Sequence, residues 1–160
     1  HELVEEKHEM TPEQMMACIR RKGRDNARTP MQWTAEKNAG FTKGEPWMPV
    51  NPNHMVINAQ AQVGDPDSVF SFYRKLIRIR QEYDVVIDGR FEMLMPEDEQ
   101  VFAYIRDDGK QRMLVACNFS GEEAVLDESA RKTGEVLLCN YDEIGAAETL
   151  RPWEARIVLI

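Results

Sequence analysis

Apolar residues recur along this chain with three different rhythms. Residues 11–23, TPEQMMACIRRKG, carry helix punctuation at both ends. Thr11 is a good N-cap, Pro12 suits the first helical position, and Gln14 completes a capping box. Gly23 supplies the stop. From Arg24 to Gly64 neither a period of 2 nor one of 3.6 is sustained. That segment holds Pro30, Pro46, Pro49 and Pro52 together with Trp33, Phe41 and Trp47. Aromatics are scarce in disordered segments, so a long ordered loop is predicted, with the three rings as its own small core. The periodicity then returns in DPDSVFSFYRKLIRIRQEY (65–83). Asp65 or Asp67 can cap a helix there, and Val69, Phe72, Tyr73, Leu76, Ile79 and Tyr83 form an apolar stripe. Arg74, Lys75, Arg78 and Arg80 fill the polar side and the last turns, where the helix dipole favours cations.

After Asp84 the rhythm shortens to strands. RFEMLM, QVFAYIRD, a DDGK turn and RMLVACNFS read as a meander, and EAVLD, EVLLCNY and ARIVLI follow between polar breaks. Six short strands fit a small antiparallel β-sandwich. The fold class is α+β, with a helical, loop-rich front (1–84) and a β-rich back (85–160). The stripe on the 65–83 helix needs a cover. The expected solutions are partial docking on the β-rich half and self-association of the chain, since soluble monomers avoid large exposed apolar patches.

Composition narrows the function classes. A formal net charge of -8 on 160 residues argues against nucleic acid as a partner. No apolar run approaches membrane-spanning length, so no membrane role is expected. Cys18, Cys117 and Cys139 are odd in number and widely spaced, which suits a reducing, cytoplasmic setting. The chain opens at His1 without a signal-peptide pattern, which suggests that its natural start lies upstream. HELVEEKHE fails as HExxH because Glu5 stands where the second histidine is needed, and His8 and His54 have no partner at ligand spacing. No metal is expected. Asn118-Phe119-Ser120 matches a glycosylation sequon but reads as a strand-end turn. Arg20, Arg21, Lys22 and Arg24 read as a solvated helix end, and Met15, Met16, Met93 and Met95 as packing. No nucleophile with an adjacent base stands out.

The loop carries more information than its lack of period suggests. RDNARTPMQW (24–33), NAGF (38–41), PWMPVNPN (46–53) and the helix SVFSFYRKLIRIRQEY together resemble glycoside hydrolase family 13. The likeness is to its α-glucosidase branch of oligo-1,6-glucosidases, dextran glucosidases and trehalose-6-phosphate hydrolases. VFAYIR, VACNFS, LLCNY and LRPWEA resemble strands of that family's C-terminal β-domain. The resemblance implies the last loop and helix of a (β/α)8 barrel (1–84) followed by an antiparallel β-domain (85–160). A whole barrel needs roughly 250 residues. The family's Asp nucleophile, Glu acid/base and second Asp come from earlier barrel strands. The resemblance therefore implies that this chain is a C-terminal fragment holding no catalytic residue and inactive alone.

Loops after barrel strands form the active-site rim, and RDNARTPMQW is similar to the family's loop after strand eight. There an arginine pairs with an Asp from an early loop and binds the terminal glucose. The match puts this substrate-binding role on Arg28, with Arg24 as the second candidate; a structural salt bridge is the competing role for both. Thr34 stands where the family usually has an acidic residue, and PVNPN leans toward oligo-1,6-glucosidase. The implied parent is a retaining exo-α-glucosidase of short, α-1,6-linked gluco-oligosaccharides that needs no cofactor. The alternative is a stand-alone β-module for structural support or carbohydrate binding. An upstream reading frame ending in barrel motifs would separate the two.

Overall fold

A computed structural model describes residues 5, 7 and 9–160, the Asn26 side chain excepted. HELVEEKHE lies mostly outside the described residues. The chain packs as two units, one ending at Asp65 and one running Pro66–Ile160.

In the first unit, helix α1 spans Pro12–Lys22. Its capping box forms as the sequence predicts: the Gln14 amide donates to Thr11 Oγ1 at 3.2 Å, and Thr11 N–H donates to Gln14 Oε1 at 2.9 Å. The helix buries no residue, and Met16 is exposed rather than packed. Three single 3-10 turns follow, at Asp25–Ala27, Lys37–Gly40 and Pro52–Met55. A short helix α2, Ala59–Val63, is capped by Asn58. Five residues are too few for periodicity to reveal it.

The second unit begins with helix α3, Val69–Glu82. Its cap is Ser68, not Asp65 or Asp67. The capping oxygen must reach the amide three residues on, and the Ser71 N–H donates to Ser68 Oγ at 3.2 Å. The predicted stripe is split. Phe72, Leu76, Ile79 and Tyr83 pack inward, while Val69 and Tyr73, with Ile77, stay exposed on another face. Apolar side chains occupy more of the circumference than one sheet can cover. The single turn α4, Val85–Asp88, follows.

Seven strands succeed it: β1 Arg90–Leu94, β2 Val101–Asp107, β3 Arg112–Asn118, β4 Ala124–Val125, β5 Glu135–Cys139, β6 Thr149–Leu150 and β7 Ala155–Leu159. An antiparallel five-stranded sheet has the order β1-β2-β3-β7-β5, and β4 pairs with β6 in a separate ribbon. The β2–β3 hairpin is in register from Val101 opposite Asn118 to Asp107 opposite Arg112. Gly109 turns it at φ 83, a conformation that favours glycine. Alternation sends Val101, Ala103, Ile105, Leu114 and Ala116 to one face, where Ala124, Leu126 and Leu150 cover them. On the other face Met113 and Leu138 pack with Ile79 of α3 and Val85 of α4. The sheet is thus held between a ribbon and a helix. Met95 packs against the first core, but Met93 is exposed.

Candidate functional site

The loop following α1 is built around one tight turn. Ala27 N–H donates to the Arg24 carbonyl at 3.1 Å and Arg28 N–H to the Asp25 carbonyl at 3.0 Å. Arg24 and Arg28 therefore flank a single 3-10 turn, and both side chains are exposed, as is Asp25 between them. Pro30, just beyond, is buried and anchors the exit of the turn. Two backbone hydrogen bonds shape the turn, and both guanidinium forks are exposed. Such a fork can hold a carboxylate and sugar hydroxyls at once.

The neighbouring NAGF segment is held by backbone and amide hydrogen bonds. Asn38, Ala39 and Gly40 have φ values of 56, 55 and 67. Three consecutive left-handed residues are costly for side chains other than those of Asn and Gly. Trp33 and Thr34 both donate from their amides to the Ala39 carbonyl, at 2.9 and 3.0 Å. The Asn38 amide group donates to the carbonyls of Thr42 at 3.2 Å and Gly44 at 2.7 Å. Thr34 Oγ1 accepts from Glu36 N–H at 3.2 Å, so the residue that departs from the family pattern closes its own turn.

Farther along, Ala59 and Gln60 donate to the carbonyls of Gln32 and Trp33 at 2.9 and 3.0 Å, and the Gln32 amide reaches the Ile57 carbonyl. Buried Asn58 links both ends of its turn, donating to the His54 carbonyl at 2.9 Å and accepting from Ala61 N–H at 2.9 Å. Hydrophobic pattern does not single out Gln32, Asn38 or Asn58. The usable signal is chemical: Asn before Ala-Gly tolerates the left-handed region, and Asn is a good N-cap.

Trp33, Phe41 and Trp47 do not form the expected loop core. They are exposed, Trp47 to 92%. The hydrogen bonds to the Ala39 carbonyl close the turn there without burying a large ring.

Ionisable groups converge elsewhere, in the sheet unit. Glu154 is 1% exposed. It accepts from Arg151 Nε at 2.8 Å and Arg151 N–H at 2.9 Å through Oε2, and lies 3.2 Å from Arg156 Nη2 through Oε1. Burial alone would raise its carboxyl, but the Arg151 hydrogen bonds and the Arg156 and Arg151 charges outweigh that and hold it below the ordinary range. Arg156 also donates to the carbonyls of Ala146, at 2.9 Å, and Thr149. These bonds pin the 140–149 segment to β7, which makes the cluster a structural clamp. The Asn118 side chain is likewise occupied: its amide donates to the carbonyls of Glu122 at 2.7 Å and Arg151 at 3.0 Å. The sequon is a strand-end turn, as expected. Among the described residues no three His, Cys, Asp or Glu side chains converge to hold a metal ion, and no helix is long and apolar enough to cross a membrane.

Comparison with known proteins divides the chain near residue 90, beyond the boundary of the two packed units at Asp65. The family model for the alpha amylase catalytic domain matches residues 2–89, and that for the maltogenic amylase C-terminal domain matches residues 91–157. An oligo-1,6-glucosidase of Parageobacillus thermoglucosidasius is 45% identical over 166 aligned residues, covering 99% of this chain and 29% of that protein. A glucan 1,6-alpha-glucosidase of Streptococcus pneumoniae is 48% identical over 145 residues, covering 89% and 27%. The crystal structure of Bacillus licheniformis trehalose-6-phosphate hydrolase matches with a TM-score of 0.86 at 34% identity, covering 96% of this chain and 29% of that one. The chain thus spans less than a third of the length of these relatives. With more than half of its residues matched to the catalytic-domain model, the chain belongs to the α-amylase family, glycoside hydrolase family 13.

Proposed function

We propose that this chain is part of a retaining exo-α-glucosidase that hydrolyses short α-linked gluco-oligosaccharides, α-1,6 linkages foremost. The names of the relatives, oligo-1,6-glucosidase and glucan 1,6-alpha-glucosidase, support the substrate class. Residues 1–84 are then the end of the catalytic barrel and residues 85–160 the C-terminal β-domain. The junction of the two family matches near residue 90 supports that division. The three unpaired cysteines suit a cytoplasmic enzyme.

The observation that carries the reading is the hydrogen-bonded Arg24–Arg28 turn with its two exposed forks. In this reading Arg28 binds the hydroxyls of the non-reducing terminal glucose and pairs with an acidic residue from outside this chain. That pair closes the pocket behind one sugar ring and enforces cleavage from the chain end. Hydrolysis itself needs two carboxylates flanking the glycosidic bond, one as nucleophile and one as acid/base. No residue of this chain takes either part, so the 160-residue chain alone does not turn over p-nitrophenyl α-glucoside or isomaltose.

In the full-length protein, Arg28→Ala lowers kcat/KM for isomaltose by about 1.5–3 kcal/mol, the worth of a charge-assisted hydrogen bond. Arg24→Ala has a smaller effect, and Arg28→Lys does not restore activity because the planar fork is lost. Equal losses at Arg24 and Arg28 with matching losses in thermal stability would make both arginines structural. Turnover by the isolated chain, abolished by changing one of its own acidic residues, would overturn the assignment of the carboxylates.

A further inference from the structure

The chain enters β7 through a four-residue turn, Arg151–Glu154, closed by donation from Glu154 N–H to the Arg151 carbonyl at 3.0 Å. Pro152 takes the second position, which suits its restricted φ, and Trp153 takes the third, at φ 58. At positive φ that position favours glycine or asparagine, and a bulky side chain there is strained. Burial does not offset the strain, because Trp153 is 61% exposed. Its indole N–H donates to no described residue. A strained residue that the fold itself does not use points to a use outside the fold.

Hydrogen bonds shape this turn on both sides. Trp153 N–H donates to the Ser120 carbonyl at 3.0 Å, and the Asn140 side chain donates to the Trp153 carbonyl at 2.8 Å. Buried Glu154 accepts from Arg151 N–H and Arg151 Nε, so the clamp described above also sets the conformation of the residue that carries the ring. Gly121 leaves the edge of the indole open. A Cβ at that position would lie 3.7 Å from Trp153 Nε1, in ordinary contact with it. Around this edge the surface mixes apolar and polar groups. Phe119 is exposed, its N–H donates to the carbonyl of exposed Gln100, and Glu122 and Glu123 are exposed next to Gly121.

We infer that Trp153 is the platform of a non-catalytic surface site that takes one neutral pyranose unit of a gluco-oligosaccharide. A pyranose presents a C–H face and a rim of hydroxyls. The face stacks on the indole and removes both apolar surfaces from water. At the rim, a hydroxyl oxygen accepts from the indole N–H at the edge that Gly121 leaves open, and the neighbouring Glu122 carboxylate can accept from another hydroxyl. An anionic ligand fits poorly. Glu122 and Glu123 repel it, and Arg151, the cation in the turn, is already engaged by Glu154. A protein partner would need far more apolar surface than one or two rings supply. The inference rests on the proposed gluco-oligosaccharide substrate for its ligand class, and it does not use Arg28.

The test is an NMR titration of the ¹⁵N-labelled chain with isomaltotriose and, in parallel, glucose 6-phosphate. Isomaltotriose should produce saturable shifts at the Trp153 indole N–H and at residues 119–122 and 151–154, with Kd on the order of 1–10 mM. Glucose 6-phosphate should bind about tenfold more weakly. Trp153→Gly should abolish the isomaltotriose shifts while Tm stays the same or rises, because glycine takes the left-handed turn position without strain. Gly121→Leu keeps the ring but lays a side chain across the indole edge, and should weaken binding by about tenfold. Gly121 is exposed and outside the left-handed region, so this variant carries the test independently of the turn. A fall in Tm for Trp153→Gly would show the ring to be structural and overturn the platform. Shifts that are absent or confined to residues 24–64, unchanged affinity in either variant, or equal binding of glucose 6-phosphate would each overturn the site. Catalytic losses in Arg28→Ala full-length enzyme report only on the first site, so the two proposals fail separately.

Discussion

The loop unit and the sheet unit solve the same physical problem with different interactions. Between Arg24 and Gly64, order comes from directional bonds: Asn38, Asn58 and Gln32 each bridge backbone groups, and large rings remain in solvent. From Pro66 onward, order comes from burial, with two apolar clusters on opposite faces of one sheet. A hydrogen bond nets only about 0.5–1.5 kcal/mol, whereas a fully buried aliphatic side chain contributes about 1.5–3 kcal/mol. The sheet unit therefore carries most of the stability, and the loop unit carries shape. A loop whose form does not depend on buried rings keeps those rings, and its arginines, available to something outside it.

The largest expected effect falls on the clamp of the sheet unit. Glu154→Gln leaves two arginines beside a neutral group, and breaking a buried ion pair from one side costs about 3–5 kcal/mol. Chemical denaturation at neutral pH measures this. The carboxyl sits below its ordinary value in the folded state. Its contribution is therefore complete above the unfolded value of about 4.3 and is lost as pH falls through the folded value. Wild-type stability should drop along that acid limb, and the variant should show a flatter one. An equally steep limb in the variant would place the acid sensitivity on other carboxylates.

Next comes the direct contrast between the units. Leu114→Ala, on the central strand and fully buried, should cost about 2–5 kcal/mol. Trp47→Ala removes a larger side chain but an exposed one, and should stay within about 0.5 kcal/mol. Urea unfolding followed by far-ultraviolet circular dichroism compares them directly. A loss at Trp47 approaching that at Leu114 would mean that the ring has a cover in solution.

These two outcomes also mark what could be read from sequence. Where burial decides, the pattern suffices: alternation in VFAYIRD and RMLVACN gives the β2–β3 hairpin and its inward face, and Thr11 to Gln14 gives the α1 cap. Where a side chain's fate depends on the surroundings, it does not. The apolar positions of α3 cannot reveal which of them the sheet will cover, so Val69 and Tyr73 read as core and lie exposed. Trp33, Phe41 and Trp47 mislead for the same reason. At the site, Arg24 and Arg28 are legible only through family likeness, because two arginines four apart carry no periodic signal.

The smallest effect separates conformation from bonding in the loop. Asn38→Ala loses two amide donations, to Thr42 and Gly44, and places a second alanine in the left-handed region. Together these should weaken the closed loop by about 1–2 kcal/mol, taking a left-handed alanine and partly exposed hydrogen bonds at their usual worth. Asn38→Gly keeps the favourable backbone but not the bonds, so it should fall between wild type and alanine. The loss should be local. Amide exchange of Trp33, Thr34 and Phe41, which depend on the turn around Ala39, should accelerate, while exchange of Leu114 in the central strand stays unchanged. Protease should then cut between Arg24 and Gly64 sooner in Asn38→Ala than in wild type, because cleavage follows the population of the open loop. Equal acceleration at Leu114 would mean that the two units unfold as one, and that the loop owes its order to the sheet unit rather than to its own hydrogen bonds.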